Sequence, residues 1–234
     1  MNENNVALQT RDLMKHYHQG DALVKALDGV DLTIHKGEFT SIMGRSGSGK
    51  STLLNMLGAL DRPSDGSVKI DGIDVAKLSS RKLVGIRRSK IGFVFQQYNL
   101  VPTLTALENV ELPLKYSGIS SKKRLQQATK ALEEVGLGQR TRHRPQQMSG
   151  GEQQRVAIAR ALVTKPAIIL ADEPTGEVDS HTAEQIIDLM KKLNQELGAT
   201  FIIVTHDPAV AQHTNRIIML SDGRIESDAK IDAK

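Results

Sequence analysis

The chain has 234 residues, with 31 Lys plus Arg against 27 Asp plus Glu and a formal net charge of +4. At 39% hydrophobic and 25% charged it is long enough to bury a core and too apolar to stay disordered. Cys and Trp are absent and aromatics make up 3%, which excludes disulfides, thiolate metal sites and a cysteine nucleophile, and argues against surfaces that stack sugars or bases.

The stretch Met1 to Asn5 lacks the basic-then-apolar order of a signal peptide, and no apolar run reaches the roughly 18 residues that cross a bilayer, so a cytosolic chain is expected. His16 and His18 stand one residue apart; without a third ligand placed by sequence they read as a solvated strand face rather than half a metal site. Phe39 to Met43 is the first of four short apolar runs rich in β-branched residues, the others being Ile91 to Phe95, Ala167 to Ala171 and Phe201 to Thr205. Their unbroken apolar character predicts strands buried on both faces, hence a mainly parallel sheet. Helical stretches at Ser51 to Leu60, Glu152 to Thr164 and Thr182 to Leu197 alternate with them, which is the pattern of an α/β fold. Asp71-Gly72 and Asp222-Gly223 are hairpin turn signals and add antiparallel strands, Val68 to Ile70, Ile217 to Leu220 and Arg224 to Ile225, beside the parallel core. Between about Asn99 and Thr164 the strand signal stops and helical periodicity, as in Lys122 to Val135, takes over, so a helical insertion is expected. The basic runs Arg81, Lys82, Arg87, Arg88, Lys90 and Lys122, Lys123, Arg124 read as solvated faces. The expected division is a single domain over 1–234, with its core at about 6–98 and 165–227, the helical subdomain at about 99–164, and a frayed tail at 228–234.

Three motifs carry chemistry. Gly44-Arg45-Ser46-Gly47-Ser48-Gly49-Lys50-Ser51 fits G-x-x-x-x-G-K-[ST] between a strand and a helix, where backbone N–H groups curl around phosphate oxygens, Lys50 reaches the β- and γ-phosphates and Ser51 takes Mg²⁺. Asp172 and Glu173 close an apolar strand at the edge where α/β sheets bind ligands; Asp172 suits Mg²⁺ coordination through water and Glu173 suits a general base on the attacking water. Met148-Ser149-Gly150-Gly151-Glu152 opens another helix with a cap and two glycines, a second helix start able to face an anion.

With these three motifs in this order the chain resembles the ATP-binding cassette family from about Val6 to Ser227, its signature L-S-G-G-Q being matched with Met148 for Leu and Glu152 for Gln. The resemblance implies a RecA-like phosphate-loop NTPase fold and nucleotide contacts from Gly44 through Thr52. It also implies that Tyr17 stacks on adenine, Gln96 senses Mg²⁺ and the attacking water (Gln97 if the register slips by one), His206 contacts the γ-phosphate and Asp179 lies at the dimer contact. Glu177 and Val178 depart from the small or amide residue and Leu usual there. In such a family each ATP is sandwiched between one chain's phosphate loop and the Ser149, Gly150, Gly151 segment of a second copy, so a homodimer that closes on ATP is implied. The separation of 53 positions from Gln96 to Ser149 leaves no room for a long coiled coil, and a single cassette is present. The resemblance therefore implies an ATPase subunit of a transporter or mechanotransmission complex. It would sit on the inner face of the membrane through an integral permease that carries a large extracytoplasmic domain, with no nucleic acid expected; a soluble cassette acting on DNA or ribosomes is the alternative. Sequences such as Phe95 to Leu100, Leu107 to Pro113 and Ala171 to Gly176 look like the branch of lipoprotein-release, macrolide-export and antimicrobial-peptide-resistance ATPases.

Overall fold

The structure is a computed structural model that describes residues 5–20 and 22–231. Two sheets share one chain. Strands β1 (Val6–Gln19), β2 (Ala22–His35), β4 (Asp65–Ile70) and β5 (Ile73–Asp74) form an antiparallel sheet in the order β2-β1-β4-β5. Strands β3 (Phe39–Met43), β6 (Ile91–Val94), β7 (Ile168–Asp172), β8 (Phe201–Val204), β9 (Arg216–Ser221) and β10 (Arg224–Lys230) form the second, in the order β10-β9-β3-β8-β7-β6. In it every pair from β9 to β6 is parallel, and β10 alone is antiparallel.

The parallel strands sort their side chains by period two. Ile169, Ala171, Phe201 and Ile203 point into one core with Phe39 and Val94, while Ile168, Leu170, Ile202 and Val204 point into the other with Ile42. The first core is closed by α3 (Ala106–Glu111), α4 (Ser121–Glu134), α5 (Gly150–Leu162) and α6 (Ser180–Leu197), and within it Phe39 and Phe201 meet edge to face at 5.7 Å. The second lies between the two sheets and includes α1 (Lys50–Leu57), with Leu53, Leu54, Met56 and Leu57 buried. Both faces of the parallel sheet are therefore covered, which is why its strands show no polar alternation. The short α7 (Pro208–Gln212) joins β8 to β9.

The sequence pattern places no element at two stretches that the structure orders. The long hairpin β1–β2 gives no clean alternation because its register shifts repeatedly, most clearly between Thr10 and Leu13, where Asp12 takes φ 44°. The basic run Arg81 to Lys90 forms α2 (Ser80–Lys90), whose Leu83 and Ile86 are buried while Lys90 pairs with Asp71 at 2.6 Å. The tail also departs from fraying, because β10 extends to Lys230. Arg216 grips Asp228 at 2.6 and 2.7 Å and Glu38 at 2.8 Å, a clamp that holds the Asp228 carboxyl below its ordinary value and pushes the guanidinium up. The remainder of the expected tail, 232–234, and the start, 1–4, lie outside the described residues.

Candidate functional site

Because β3, β6, β7 and β8 are parallel, the loops after all four emerge on one edge of the sheet, and a cavity of about 1090 Å³ opens there. Its floor is the segment Gly44–Thr52. The loop turns on glycines with left-handed backbone, Gly47 at φ 81° and Gly49 at φ 102°. At Gly49 a side chain would also meet the Ala26 carbonyl and Leu27, so the residue that starts α1 must be glycine on both counts. No side chain caps α1 and no acid stands in its first turn, so its first N–H groups stay free to face the cavity. Lys50 Nζ folds across the loop and donates to the carbonyls of Gly44 (2.6 Å) and Arg45 (2.9 Å). The Ser48 hydroxyl is buried beneath without a partner.

The acidic wall comes from β7. Asp172 is half-buried, and its carboxyl is pushed up by burial first and then by the charge of Glu173, with Lys50 opposing. Glu173 takes φ 43°, a left-handed conformation that turns its side chain toward the loop after β8. There its carboxylate accepts from the Thr205 hydroxyl (3.0 Å) and the His206 backbone N–H (3.0 Å), and meets His206 Nδ1 at 2.6 Å. Gln96 enters from the loop after β6 and lines the same cavity. Gln97 does not; it lines a separate hollow of about 320 Å³ with Tyr98, Asn99, Leu100, Pro102, Pro145, Gln146 and Gln153.

The cavity therefore gathers Gly44, Arg45, Ser46, Gly47, Gly49, Lys50, Ser51, Thr52, Gln96, Asp172, Glu173 and His206. Tyr17 is not among its walls. It lies on β1 opposite Val24, under Lys15 at 4.9 Å and with its hydroxyl toward Asp61 at 3.4 Å, and the cavity is walled on that side by Val24, Lys25 and Ala26. Ser149, Gly150, Gly151 and Asp179 are also elsewhere. Ser149 caps α5 in a reciprocal box, its hydroxyl accepting from Glu152 N (3.2 Å) while Glu152 accepts from Ser149 N (2.9 Å), and Arg140 pairs with Glu152 at 3.2 Å. Asp179 caps α6 through Thr182. The two helix starts abut, since a Cβ on Gly151 would stand 2.6 Å from Thr182 and one on Gly150 would stand 2.7 Å from the Tyr98 hydroxyl.

Other contributors gave no motif. Thr205 orients Glu173, and Gln154, fully buried on α5, donates to the carbonyls of Phe95 (3.3 Å) and Pro174 (2.5 Å), tying the loops that carry Gln96 and Glu173 to one helix. Arg160, one turn and a half further along α5, holds the carbonyls of Tyr98 and Asn99, both in left-handed conformation. Such contacts join side chains to backbone across long sequence separations, and no local pattern announces them. Among the described residues no group of three or more His, Cys, Asp or Glu gathers as a metal site, at His16 and His18 or anywhere else.

Comparison with known proteins places this geometry. The family model described as ABC transporter matches residues 27–176. An uncharacterized ABC transporter ATP-binding protein of Methanocaldococcus jannaschii is 54% identical over 228 residues, covering 96% of this chain and 97% of that one. The macrolide export ATP-binding/permease protein MacB 1/2 of Paracoccus denitrificans is 48% identical over 226 residues, covering 97% of this chain, which spans only 34% of that longer protein. Among solved structures, a dimeric post-hydrolysis state of the ATP-binding cassette MJ0796 bound to ADP and Pi superimposes with a TM-score of 0.86 at 51% identity, covering 97% of this chain and 100% of that one.

Proposed function

This chain belongs to the ABC transporter family, and on that premise we propose how its residues divide the work of an ATP-binding, ATP-hydrolysing subunit. The transporter reading stands over a soluble cassette on DNA or ribosomes, since the relatives named above carry transporter names and one is fused to its permease. The observation that carries the site assignment is the convergence of the open α1 start, Lys50 and the Asp172–Glu173 pair on one cavity.

Gly44 to Thr52 cradle the phosphates, with Lys50 exchanging its loop carbonyls for the β- and γ-oxygens. Ser51, Gln96 and Asp172 present hard oxygen donors at one end of the cavity, a set that suits Mg²⁺, and two adjacent carboxylates with a raised Asp172 are an arrangement a divalent cation would relieve. Bound there, Mg²⁺ would offset charge on the β- and γ-phosphates. Glu173 accepts the proton of the water that attacks the γ-phosphorus, its carboxylate aimed by Thr205 and His206, and His206 faces the γ-phosphate. The adenine lies along Val24 to Ala26, with Tyr17 at the rim through its neighbour Val24.

Ser149, Gly150, Gly151 and Asp179 line no part of this cavity, and we assign them to the site of a second copy. The neighbour's title describes a dimeric cassette with ADP and Pi, which supports ATP-driven closure of a homodimer here. A permease partner is supported by the fused relative, and the hollow lined by Tyr98, Leu100 and Pro102, directly after Gln96, is the docking face we assign to it. Among the described residues no helix is long and apolar enough to cross a membrane, so attachment at the inner membrane face falls to that partner.

Glu173→Gln tests the reading. It keeps the size and removes the base, so hydrolysis should fall by ~10²–10⁴ while ATP still binds. ATP, and not ADP, should then convert the variant from monomer to dimer on a sizing column. A variant that stays monomeric with saturating ATP, beside a parent whose turnover is independent of protein concentration, would remove the two-chain site.

A further inference from the structure

The loops after β6 and β7 touch through one residue that departs from the usual family pattern. Gln96 Nε2 donates to Glu177 Oε1 at 3.2 Å, and the Tyr98 hydroxyl donates to the Glu177 carbonyl at 3.3 Å. Glu177 is thus held through both its carboxylate and its backbone by the segment that carries Gln96. The Gln96 side chain reaches it by lying flat along Gly176, where a Cβ would stand 2.8 Å from Nε2 and 3.0 Å from Cδ. Glycine at 176 leaves the passage open, and the carboxylate at 177 ends it.

The chemistry of the pair sets the direction of the amide. A carboxylate offers acceptors only, so Gln96 must turn its NH₂ group toward Glu177, which leaves Oε1 as the end available to the cavity that Gln96 lines. An amide at position 177 both donates and accepts, and would hold Gln96 equally well the wrong way round. Only the oxygen can ligate a hard cation. We propose that Glu177 is a positioning residue that locks the Gln96 amide with its oxygen toward the Mg²⁺ of the bound nucleotide. This rests on the reading of Gln96 as a Mg²⁺ contact given above.

The test reads the gain in nucleotide affinity that Mg²⁺ confers, measured by calorimetry with the β,γ-imido analogue of ATP in Mg²⁺ and again in EDTA. The chains carry Ser149→Arg and are checked as single copies on a sizing column, so that closure adds nothing to the signal. Gln96→Ala should cut the gain about tenfold, and Glu177→Gln about two- to fivefold, as expected for losing one exposed charge-assisted contact. The double variant should match Gln96→Ala alone, because Glu177 acts through Gln96. Equal melting temperatures of parent and Glu177→Gln exclude a folding effect at this exposed position. An unchanged gain in Glu177→Gln, or losses that add in the double variant, would overturn the proposal; the second result would mean that Glu177 acts by its charge alone. If Gln96→Ala itself leaves the gain intact, the Mg²⁺ reading of Gln96 has failed, and the proposal falls for that separate reason.

Discussion

Two helices of this molecule begin at glycine and serine turns, and they begin in opposite ways. The start of α1 has a left-handed Gly49, no side-chain cap, no acid in its first turn and a large cavity in front of it. The start of α5 is closed by its own side chains, with Ser149 and Glu152 satisfying each other and Arg140 neutralising the acid. An open helix start has unsatisfied donors and waits for an anion. A start capped in this way leaves fewer donors unpaired. The contrast fits the order we propose, in which nucleotide enters at α1 of one chain and α5 of the other chain arrives afterwards.

The largest effect that would break this contrast is at Lys50. Lys50→Ala should weaken ATP binding by about two orders of magnitude or more, since two charge-assisted contacts are lost, whereas comparable loss from any change at α5 would refute the order. Calorimetry on the two single chains decides it. Next, Ser149→Arg placed on Glu173→Gln should abolish the ATP-driven dimer on a sizing column and leave ATP affinity of the monomer unchanged, since Ser149 lines no part of its own cavity.

Smaller effects sharpen the comparison. Ser149→Ala should destabilise the fold by about 1 kcal/mol in urea, the worth of an N-cap, whereas α1 has no capping side chain to lose. Glu152→Gln keeps the reciprocal cap and removes an acid from the face we assign to the partner's phosphate, so ATP-driven dimerisation should tighten about two- to fivefold with little change in melting. The smallest effect is in titration. Glu108 at the closed start of α3 and Asp179 at that of α6 are held below their ordinary values of 4.5 and 3.8, first by the backbone N–H of Thr105 for Glu108 and by the Thr182 hydroxyl for Asp179. Their capping contribution is present above those values and is lost as pH falls through the depressed ones. Carboxyl carbon NMR should place both below the ordinary values, and ordinary values would show that these caps are open in solution.

The open start was fully legible in sequence, because a phosphate loop is a local pattern of glycines, one lysine and one hydroxyl between a strand and a helix. Asp172 and Glu173 were legible as strand-end carboxylates once the strands were placed, since β7 is a short unbroken apolar run, whereas Gln96 and His206 rested on the family resemblance, because a lone amide or imidazole after a strand carries no pattern of its own. Tyr17 was less so. It belongs to a strand whose bulges at Asp12 and beyond scramble the alternation, so its facing direction could not be read; in the structure it sits opposite Val24, which lines the cavity while Tyr17 does not. The β1–β2 hairpin escaped for the same reason, its apolar residues falling out of step at the bulges, and α2 escaped because it has few apolar residues. The carboxyl end of β10 escaped because Asp228 and Lys230 look like a polar tail, while the partner that orders Asp228 is Arg216, twelve positions earlier.

The β9–β10 turn makes contact with the phosphate loop itself. Gly223 N donates to the Ser48 carbonyl at 3.0 Å, its own carbonyl accepts from Asp28 N at 3.0 Å, and a Cβ there would press on the Ala26 carbonyl at 2.8 Å. The loop that begins at Gly44 is thus braced by a residue made almost 180 positions later. A chain that stops before Gly223 carries every residue of the motif and lacks this support, so the shape of the loop depends on a contact made across almost the whole core.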